Sequence, residues 1–392
     1  MKKNFSIDLA YRSINHIGEE LCGDKVEVVN NDDCRILILA DGMGSGVRAN
    51  ILATLTSKII ATMMWRGLSV DDVVATIAKT LPVSSVNGAA YSTFSVIQAF
   101  NNGRIYIVEY DNPECILIRD GKVQKLPFKY REIEGKKIRE CEIWAEIGDA
   151  YAIMSDGCLY CGTGEIMNYM WDWKALSNCA RVGAGRTRNA QQMADYINSN
   201  CAELYGNIPT DDTTVAALRI LEENVLSMLT GPPADKADDY RMVEDFMKND
   251  GIKIVSGGAT GNMVARVLNE RLVPMDDHLD PEIPPTSKIK GIDLVTEGVL
   301  TLHRTVELLE RYVRDDVTEE FFIELSRENG ATRLACYLME DCSTVKLYIG
   351  RAVNLEYTEK TLPFEISARQ NLTQSLISVL EKMHKKVDVY YY

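Results

Sequence analysis

The sequence predicts an α+β chain: a layered sandwich of antiparallel sheets flanked by helices, then a smaller α/β domain. Three observations carry this. Over residues 1–220 the strand-like runs come as hairpins and the helix-like runs come in pairs, a grouping that suits antiparallel sheets covered by helices rather than strict β-α alternation. The run from Thr230 to Asp239, with the pair Pro232-Pro233 and clustered charge, breaks the pattern and reads as a linker. Beyond it strands and helices alternate, which predicts a mostly parallel sheet. The expected boundaries are residues 1–221 for the first domain, 222–240 for a helix end and linker, and 241–392 for the second domain.

The chain has 392 residues, enough for two or three domains at roughly 150 residues each. A hydrophobic fraction of 46% and a charged fraction of 26% are those of an ordinary globular protein. No stretch reaches the roughly 18–20 apolar residues of a membrane span, and the start, MKKNFSIDLAYRS, has lysines but no apolar export core. A cytoplasmic protein without a membrane partner is expected. The formal charge of −14 argues against a nucleic-acid partner or a broad anionic-surface footprint. Ten cysteines without disulfide-like spacing read as reduced thiols. Cys158 and Cys161 form a lone C-x-x-C, which does not support a four-ligand zinc site. Small buried apolar residues are the expectation for most of the ten. A redox-sensitive role is the alternative for this pair, because it follows Asp156 so closely.

Residues 5–13 alternate enough for an opening strand, and Lys25–Val29 form a second. Asn30–Asp33 is a polar turn. Ile36–Ala40 is an apolar, β-branched run that fits a buried strand ending at Asp41, with the glycine-rich turn Gly42, Gly44, Gly46 after it. A long helix follows, about 20 residues and so roughly 30 Å. In it Val47, Ile51, Leu55, Ile59 and Met63 recur at four-residue intervals, one apolar stripe expected to pack on the core. A second helix, Val70–Thr80, has Asp71 and Asp72 in its first turn, which suits the positive helix end. Tyr91–Phe100 and Arg104–Asp111 form a hairpin through Asn101-Asn102-Gly103, and Cys115–Arg119 and Lys122–Leu126 another through Asp120-Gly121. Ala150–Met154 is a strand ending in Ser155-Asp156-Gly157; helices at about 165–178 and 188–205 precede a last strand, Thr214–Arg219.

Asp24, Asp41, Asp156 and Asp211 thus each sit at a strand edge. A carboxylate at the end of a buried strand must be paired, protonated or metal-bound. Asp-Gly is also a common turn dipeptide, so each aspartate alone reads equally as an ordinary turn residue, as Asp120 does. Their joint occurrence, in order and after apolar runs, favours convergence. Converging without a cation, each pair at 4 Å would repel by on the order of 4 kcal/mol at an effective dielectric of 20. One or two Mg²⁺ or Mn²⁺ ions would reverse that sign. With only four histidines in the chain, an all-oxygen ligand set points to these hard ions and away from zinc. Two ions sharing Asp41 would acidify a water between them and clamp a phosphoryl oxygen. That supports in-line hydrolysis of a phosphoester with no covalent enzyme intermediate.

Asp41-Gly42-Met43-Gly44-Ser45-Gly46, Ser155-Asp156-Gly157 and Asp211-Asp212-Thr213-Thr214 resemble the three signature blocks of the SpoIIE-like branch of PP2C (PPM) phosphatases, and Gly23-Asp24 resembles that branch's early Gly-Asp. The resemblance covers residues 1–220. It implies the PP2C-type α-β-β-α sandwich and metal-dependent dephosphorylation of phosphoserine or phosphothreonine. Carried over by motif, Asp41 would bridge the two metals, the Gly42 carbonyl would ligate the second, and Asp156 and Asp211 would complete the first. Asp41, Asp156 and Asp211 are then the catalytic set, with Asp24 a further metal ligand and Asp212 the alternative to Asp211. Bacterial members of the branch are similar in lacking the phosphate-gripping arginine of eukaryotic relatives; Arg12 is a candidate for that role, although a solvated arginine is the expectation. The resemblance suggests a phosphorylated regulator as substrate, for example an anti-sigma-factor antagonist, though no residue identifies it. The helices after the first metal aspartate can act in this branch as a switch for metal binding; ordinary core packing is the alternative for 47–66 and 70–80, and the one expected.

In the second domain Glu222–Leu229 reads as the end of a helix, and Ile252–Ser256 as a short strand. The turn Gly257-Gly258-Ala259-Thr260-Gly261-Asn262 and a helix with Val264, Leu268 and Leu272 follow. Ile292–Val295 repeats the motif before Thr296-Glu297-Gly298 and a helix to about Val313. A helix near Arg333–Asp341, a strand at Val345–Ile349, a helix over Glu365–Lys385 and a strand at Val387–Tyr391 complete a Rossmann-like alternation. Gly257, Gly258, Thr260, Gly261 and Asn262 are the best second ligand site, a helix start that suits a small anion. A tight strand-to-helix turn needing glycine explains them equally, since the pattern is neither G-x-G-x-x-G nor a P-loop. A sensory domain gating a phosphatase is the expected arrangement. A phosphatase fold retained for binding alone, and a hydrolase of small phosphomonoesters, are the other functions considered; a homodimer also stays open.

Overall fold

The computed structural model describes residues 5–31, 33–80, 92–161, 171–187, 189–275, 282–314, 319–352 and 362–392. They form two compact units, Met1–Glu222 and Glu223–Tyr392.

The first unit opens with strands β1 (Phe5–Ile14), β2 (Asp24–Asn30) and β3 (Cys34–Gly42), then helices α1 (Gly46–Trp65) and α2 (Val70–Thr80). Six strands follow: β4 (Ser92–Phe100), β5 (Arg104–Tyr110), β6 (Ile116–Arg119), β7 (Lys122–Gln124), β8 (Lys129–Ile133) and β9 (Lys136–Trp144). After β10 (Ala150–Met154) come the short helix α3 (Gly157–Tyr160), α4 (Trp173–Arg186), α5 (Ala190–Leu204) and β11 (Thr213–Glu222). Tyr91 and residues 165–170, expected at the start of a strand and of a helix, lie outside the described residues.

Two antiparallel sheets result, ordered β2-β3-β4-β5-β9-β8 and β1-β11-β10-β6-β7. Strand β3 shows why they stack. Leu37 and Leu39 point into the core shared by the two sheets, with Leu9, Ile97, Ile107 and Leu218. Ile36 and Ile38 point the other way, against Ile60 and Met64 of α1 and Val74 and Ile77 of α2. A strand buried on both faces carries an unbroken apolar run. The second sheet is covered likewise: Ile116, Ala152 and Val215 pack under Leu176 of α4 and Ile197 of α5. The layer order is α-β-β-α. The hairpin at Asp120-Gly121 has both residues at positive φ, +52° and +69°, the two-residue turn that matches strand twist. The β8–β9 hairpin uses the same device at Glu134-Gly135; its charged, exposed edge strand gave no apolar signal in the sequence.

Helix α1 departs from expectation. Its buried residues include Ala49, Leu52, Ala53, Thr56, Ser57, Ile60 and Ala61. Val47, Ile51 and Leu55, expected to face the core, are 60%, 53% and 47% exposed. Small side chains let the helix lie close to β2 and β3, so the larger apolar ones are turned outward.

The second unit begins with β12 (Val225–Thr230), α6 (Asp239–Met247), β13 (Ile252–Ser256) and α7 (Gly258–Leu268), followed by the short strands β14 (Val273–Pro274), β15 (Ser287–Lys288) and β16 (Leu294–Thr296). Helices α8 (Val299–Val313), α9 (Glu319–Leu325) and α10 (Gly330–Cys336) precede β17 (Thr344–Ile349), α11 (Leu362–Lys382) and β18 (Lys386–Tyr391). The expected helix at Glu222–Leu229 is instead the central strand β12, parallel to both β13 and β17. It is buried on both faces, so it shows no period of two, and a short apolar run of that kind reads as helix or strand alike. The turn Gly257–Asn262 is also corrected: α7 starts at Gly258, so most of that turn is helix.

The sheet order is β14-β15-β16-β13-β12-β17-β18. All five strands from β16 to β18 are parallel. In chain order they run third, second, first, fourth, fifth, the doubly wound arrangement in which ligands bind beyond the carboxyl ends of the strands. Leu226, Met228, Ile254 and Leu347 pack under α8, α10 and α11. Leu229, Val255 and Val295 pack under α6 and α7 on the other face.

Candidate metal centre

Asp24 opens β2 and lies directly opposite Asp41 of β3 in the ladder. Asp41 is inside the strand, opposite Thr93 of β4. Asp156 follows β10, and Asp211 and Asp212 lead into β11, the neighbour of β10. Those two strand ends are locked together: the Ser155 amide donates to the Thr214 carbonyl at 3.0 Å, and the Thr214 amide to Ser155 Oγ at 2.8 Å. Two glycines permit close approach. A Cβ at Gly157 would overlap the Asp212 carbonyl oxygen, and one at Gly42 would overlap the Ala49 carbonyl oxygen of α1. Gly42 N–H also donates to the Gly23 carbonyl at 3.1 Å, joining the Asp24 and Asp41 segments.

The five aspartates form one electrostatic cluster. Asp24 is 5% exposed, and neither carboxyl oxygen has a hydrogen-bond partner. Burial pushes its pKa up to about 7; the Ser155 and Thr214 hydroxyls offset part of this, while Asp212 and Asp156 add to it. Asp41 is held well above the usual carboxylate range, first by burial, then by Asp24, Asp156 and Asp211. Burial and Asp156 bring Asp211 to about 6. Asp212 Oδ1 accepts from the His16 amide at 3.0 Å, while its buried Oδ2 has no partner. Among the described residues, no group of three or more His, Cys, Asp or Glu side chains is already arranged to hold an ion. The donor set nevertheless fits a hard divalent cation. It is all oxygen, largely buried, and carries orphaned carboxylate oxygens whose mutual repulsion a cation would relieve.

Residues 31–221 match the family model described as Stage II sporulation protein E (SpoIIE). The matched residues all lie within the first unit. Among solved structures the chain is similar to the PP2C phosphatase domain, with a fragment of the regulatory domain, of the cell fate determinant SpoIIE from Bacillus subtilis: 17% identity, covering 57% of this chain and 64% of that chain, TM-score 0.48. The match therefore spans less than two thirds of that structure's own length. It is also similar to RsbX in complex with magnesium, at 18% identity, 55% and 96% coverage and a TM-score of 0.40. A third similarity is to the catalytic domain of the serine/threonine phosphatase PstP in complex with two manganese ions, at 16% identity, 55% and 99% coverage and a TM-score of 0.39. A search of curated proteins found no match.

Arg12 of β1 is not solvated. Its side chain is 13% exposed and ion-paired with Asp195 of α5, on the helix-covered face of its sheet. Cys158 and Cys161 are buried free thiols. Cys158 Sγ donates to the Thr214 carbonyl at 3.4 Å, and burial raises its pKa. Ser155 and Thr214 belong to the signature blocks themselves; His16 and Cys22, whose thiol is pushed up to about 12 by burial and Asp24, had no distinguishing pattern.

In the second unit, Gly257 caps α7 with φ +113°. Thr260 is buried, and its hydroxyl accepts from the Gly231 amide at 3.0 Å. Asn262 is exposed. Gly258 faces the Glu297 carboxylate, which would stand 2.9 Å from a Cβ placed there. Gly261 packs against Val295 and Leu272.

Proposed function

We propose that the protein is a divalent-metal-dependent serine/threonine phosphatase acting on a phosphorylated protein, regulated through its second unit. One observation carries the reading: five aspartates from two facing sheets meet at one edge of the sandwich, and Asp24 and Asp212 keep buried carboxylate oxygens without partners. Asp41, Asp24, Asp156, Asp211 and Asp212, with the Gly42 carbonyl, would hold two Mn²⁺ or Mg²⁺ ions. Ions held there would supply an activated water and neutralise phosphoryl charge. The His16 amide fixes the orientation of Asp212, and Ser155 fixes the spacing of the β10 and β11 ends.

The SpoIIE match supports a phosphorylated regulator as substrate, an anti-sigma-factor antagonist being one example. Ten free thiols, and no described helix long and apolar enough to cross a membrane, support a place in the cytoplasm. Turnover on p-nitrophenyl phosphate and a phosphoserine peptide, with Mn²⁺, Mg²⁺ or EDTA, tests the reading beside Asp41→Asn. Activity that needs the metal and disappears in the variant is expected. Activity persisting in EDTA or in Asp41→Asn, or a folded protein that takes up no Mn²⁺ on direct titration, would overturn it.

A further inference from the structure

We propose that the N-terminus of α8, at the carboxyl edge of the second unit's parallel sheet, seats the phosphate group of a small organic ligand. Helix α8 is 15 residues long, and its N-cap is Gly298, with no side-chain capping bond. Its first-turn amides are therefore left to an outside acceptor, and the helix end favours negative charge. The neighbouring α7 also lacks a side-chain capping bond, but the Glu297 carboxylate stands near its Gly258. The two turns touch, with a Cβ at Gly298 falling 4.0 Å from the Gly257 Cα and the Gly257 amide donating to the Thr296 carbonyl at 2.9 Å.

A second, independent observation lies beneath the α8 turn. Thr296 and Thr301 are 2% and 0% exposed, and neither hydroxyl has a hydrogen-bond partner. Thr301 occupies the third position of α8, where a helical side chain is directed back toward the N-cap. Thr296 ends β16 and, two residues after Leu294, points to the α8 face of the sheet. The methyl groups of both lie 3.4 Å from the Cβ position of Gly330, so they share one small space. Buried hydroxyls are rarely left unpaired. Both hydroxyls lie beneath the turn that carries the exposed residues Glu297, Val299 and Leu300. A phosphate seated at this turn would take the amides from one side and, on a small outward shift of the turn, the two hydroxyls from below. That suits the tetrahedral oxygens of a phosphate better than a planar carboxylate. Val299 and Leu300, 39% and 63% exposed, offer an apolar surface to the carbon skeleton beside it.

The test is independent of the phosphatase reading, because it is made on the full chain in EDTA and in an Asp41→Asn background. Isothermal titration calorimetry with inorganic phosphate, and separately with glycerol phosphate, should show saturable binding; the tighter of the two identifies a free or an esterified phosphate. Thr301→Val, which removes only the hydroxyl, should weaken binding about tenfold, with an unfolding midpoint in the absence of phosphate no lower than the parent's. Thr301→Ser should retain binding. If Thr301→Val does not fold, Thr296→Val gives the same readout from the sheet side. Absence of binding in the parent, or affinity unchanged in both valine variants, would overturn the proposal.

Discussion

Asp24 and Asp41 face each other directly across the β2–β3 ladder. Like charges directly opposite on a sheet destabilise it, and the burial of Asp24 adds to the cost, which the Ser155 and Thr214 hydroxyls offset only in part. Asp24→Asn keeps the shape and removes one charge. In EDTA the variant should be more stable than the parent, on the order of 1 kcal/mol, read as a rise of about 2–4 °C in the unfolding midpoint. Its Mn²⁺ affinity should fall. A variant less stable in EDTA would show that the Asp24 carboxylate is serving another partner.

The same cluster sets a pH dependence whose sign is fixed. Asp24 and Asp211 titrate at about 7 and about 6 in the folded chain, against about 3.9 when unfolded. The folded state thus binds more protons between these values, so metal-free stability should be highest near pH 4 and fall as pH rises toward 7. Metal uptake displaces those protons, so Mn²⁺ affinity should rise over the same window. Melting curves from pH 5 to 8, with EDTA and with Mn²⁺, should slope in opposite directions.

Gly42→Ala tests how tightly α1 is held over the site. The added methyl would overlap a backbone oxygen, that of Ala49, and not the end of a flexible side chain. Relief requires moving α1 or β3. A loss of about 1–3 kcal/mol is expected in denaturant titration, together with weaker metal binding. Gly44→Ala is not an equivalent control, because Gly44 has a φ of +96° and is strained for a different reason.

Much of this was legible in the sequence because apolar runs and turn residues act locally. The run Ile36–Ala40 gave β3, and Asn101-Asn102-Gly103 gave the hairpin after β4. The aspartate blocks marked the strand ends at which Asp41, Asp156 and Asp211 lie. What the sequence hid depends on partners far along the chain. Arg12 carries no mark of Asp195, and His16 no mark of Asp212. Strand β12 was hidden because a strand buried on both faces loses the alternation that identifies strands.

Helix α1 departs from its apolar periodicity for a related reason, and it yields a direct comparison. A periodicity argument weights large apolar residues, so it selects Val47, Ile51, Leu55, Ile59 and Met63, of which Ile59 and Met63 are partly buried against the core and the first three are exposed. The structure buries the face bearing Ala49, Leu52, Ala53, Thr56 and Ser57 instead. Ile51→Ser should therefore change stability by no more than about 0.5 kcal/mol. Leu52→Ala should cost about 2–5 kcal/mol. Chemical denaturation of the two variants separates the faces, and a large loss from Ile51→Ser would mean that a partner surface covers it.

Glu297 provides the sharpest constraint on the second unit. Its carboxylate stands beside Gly258 at the start of α7, one residue before the α8 cap, and is exposed. A phosphate on α8 would feel that charge across solvent, where a like-charge pair costs on the order of 1 kcal/mol at low salt. Glu297→Gln should then bind inorganic phosphate several-fold more tightly, with the gain shrinking as ionic strength rises. The same substitution weakens the negative group at the start of α7, worth about 0.3–1 kcal/mol, so the phosphate-free protein should be slightly less stable. Tighter phosphate binding in a slightly less stable protein is a combination that a purely structural role for Glu297 does not produce. If Glu297 instead accepts hydroxyl groups of the natural ligand, the glutamine variant should gain affinity for inorganic phosphate while losing discrimination in favour of glycerol phosphate.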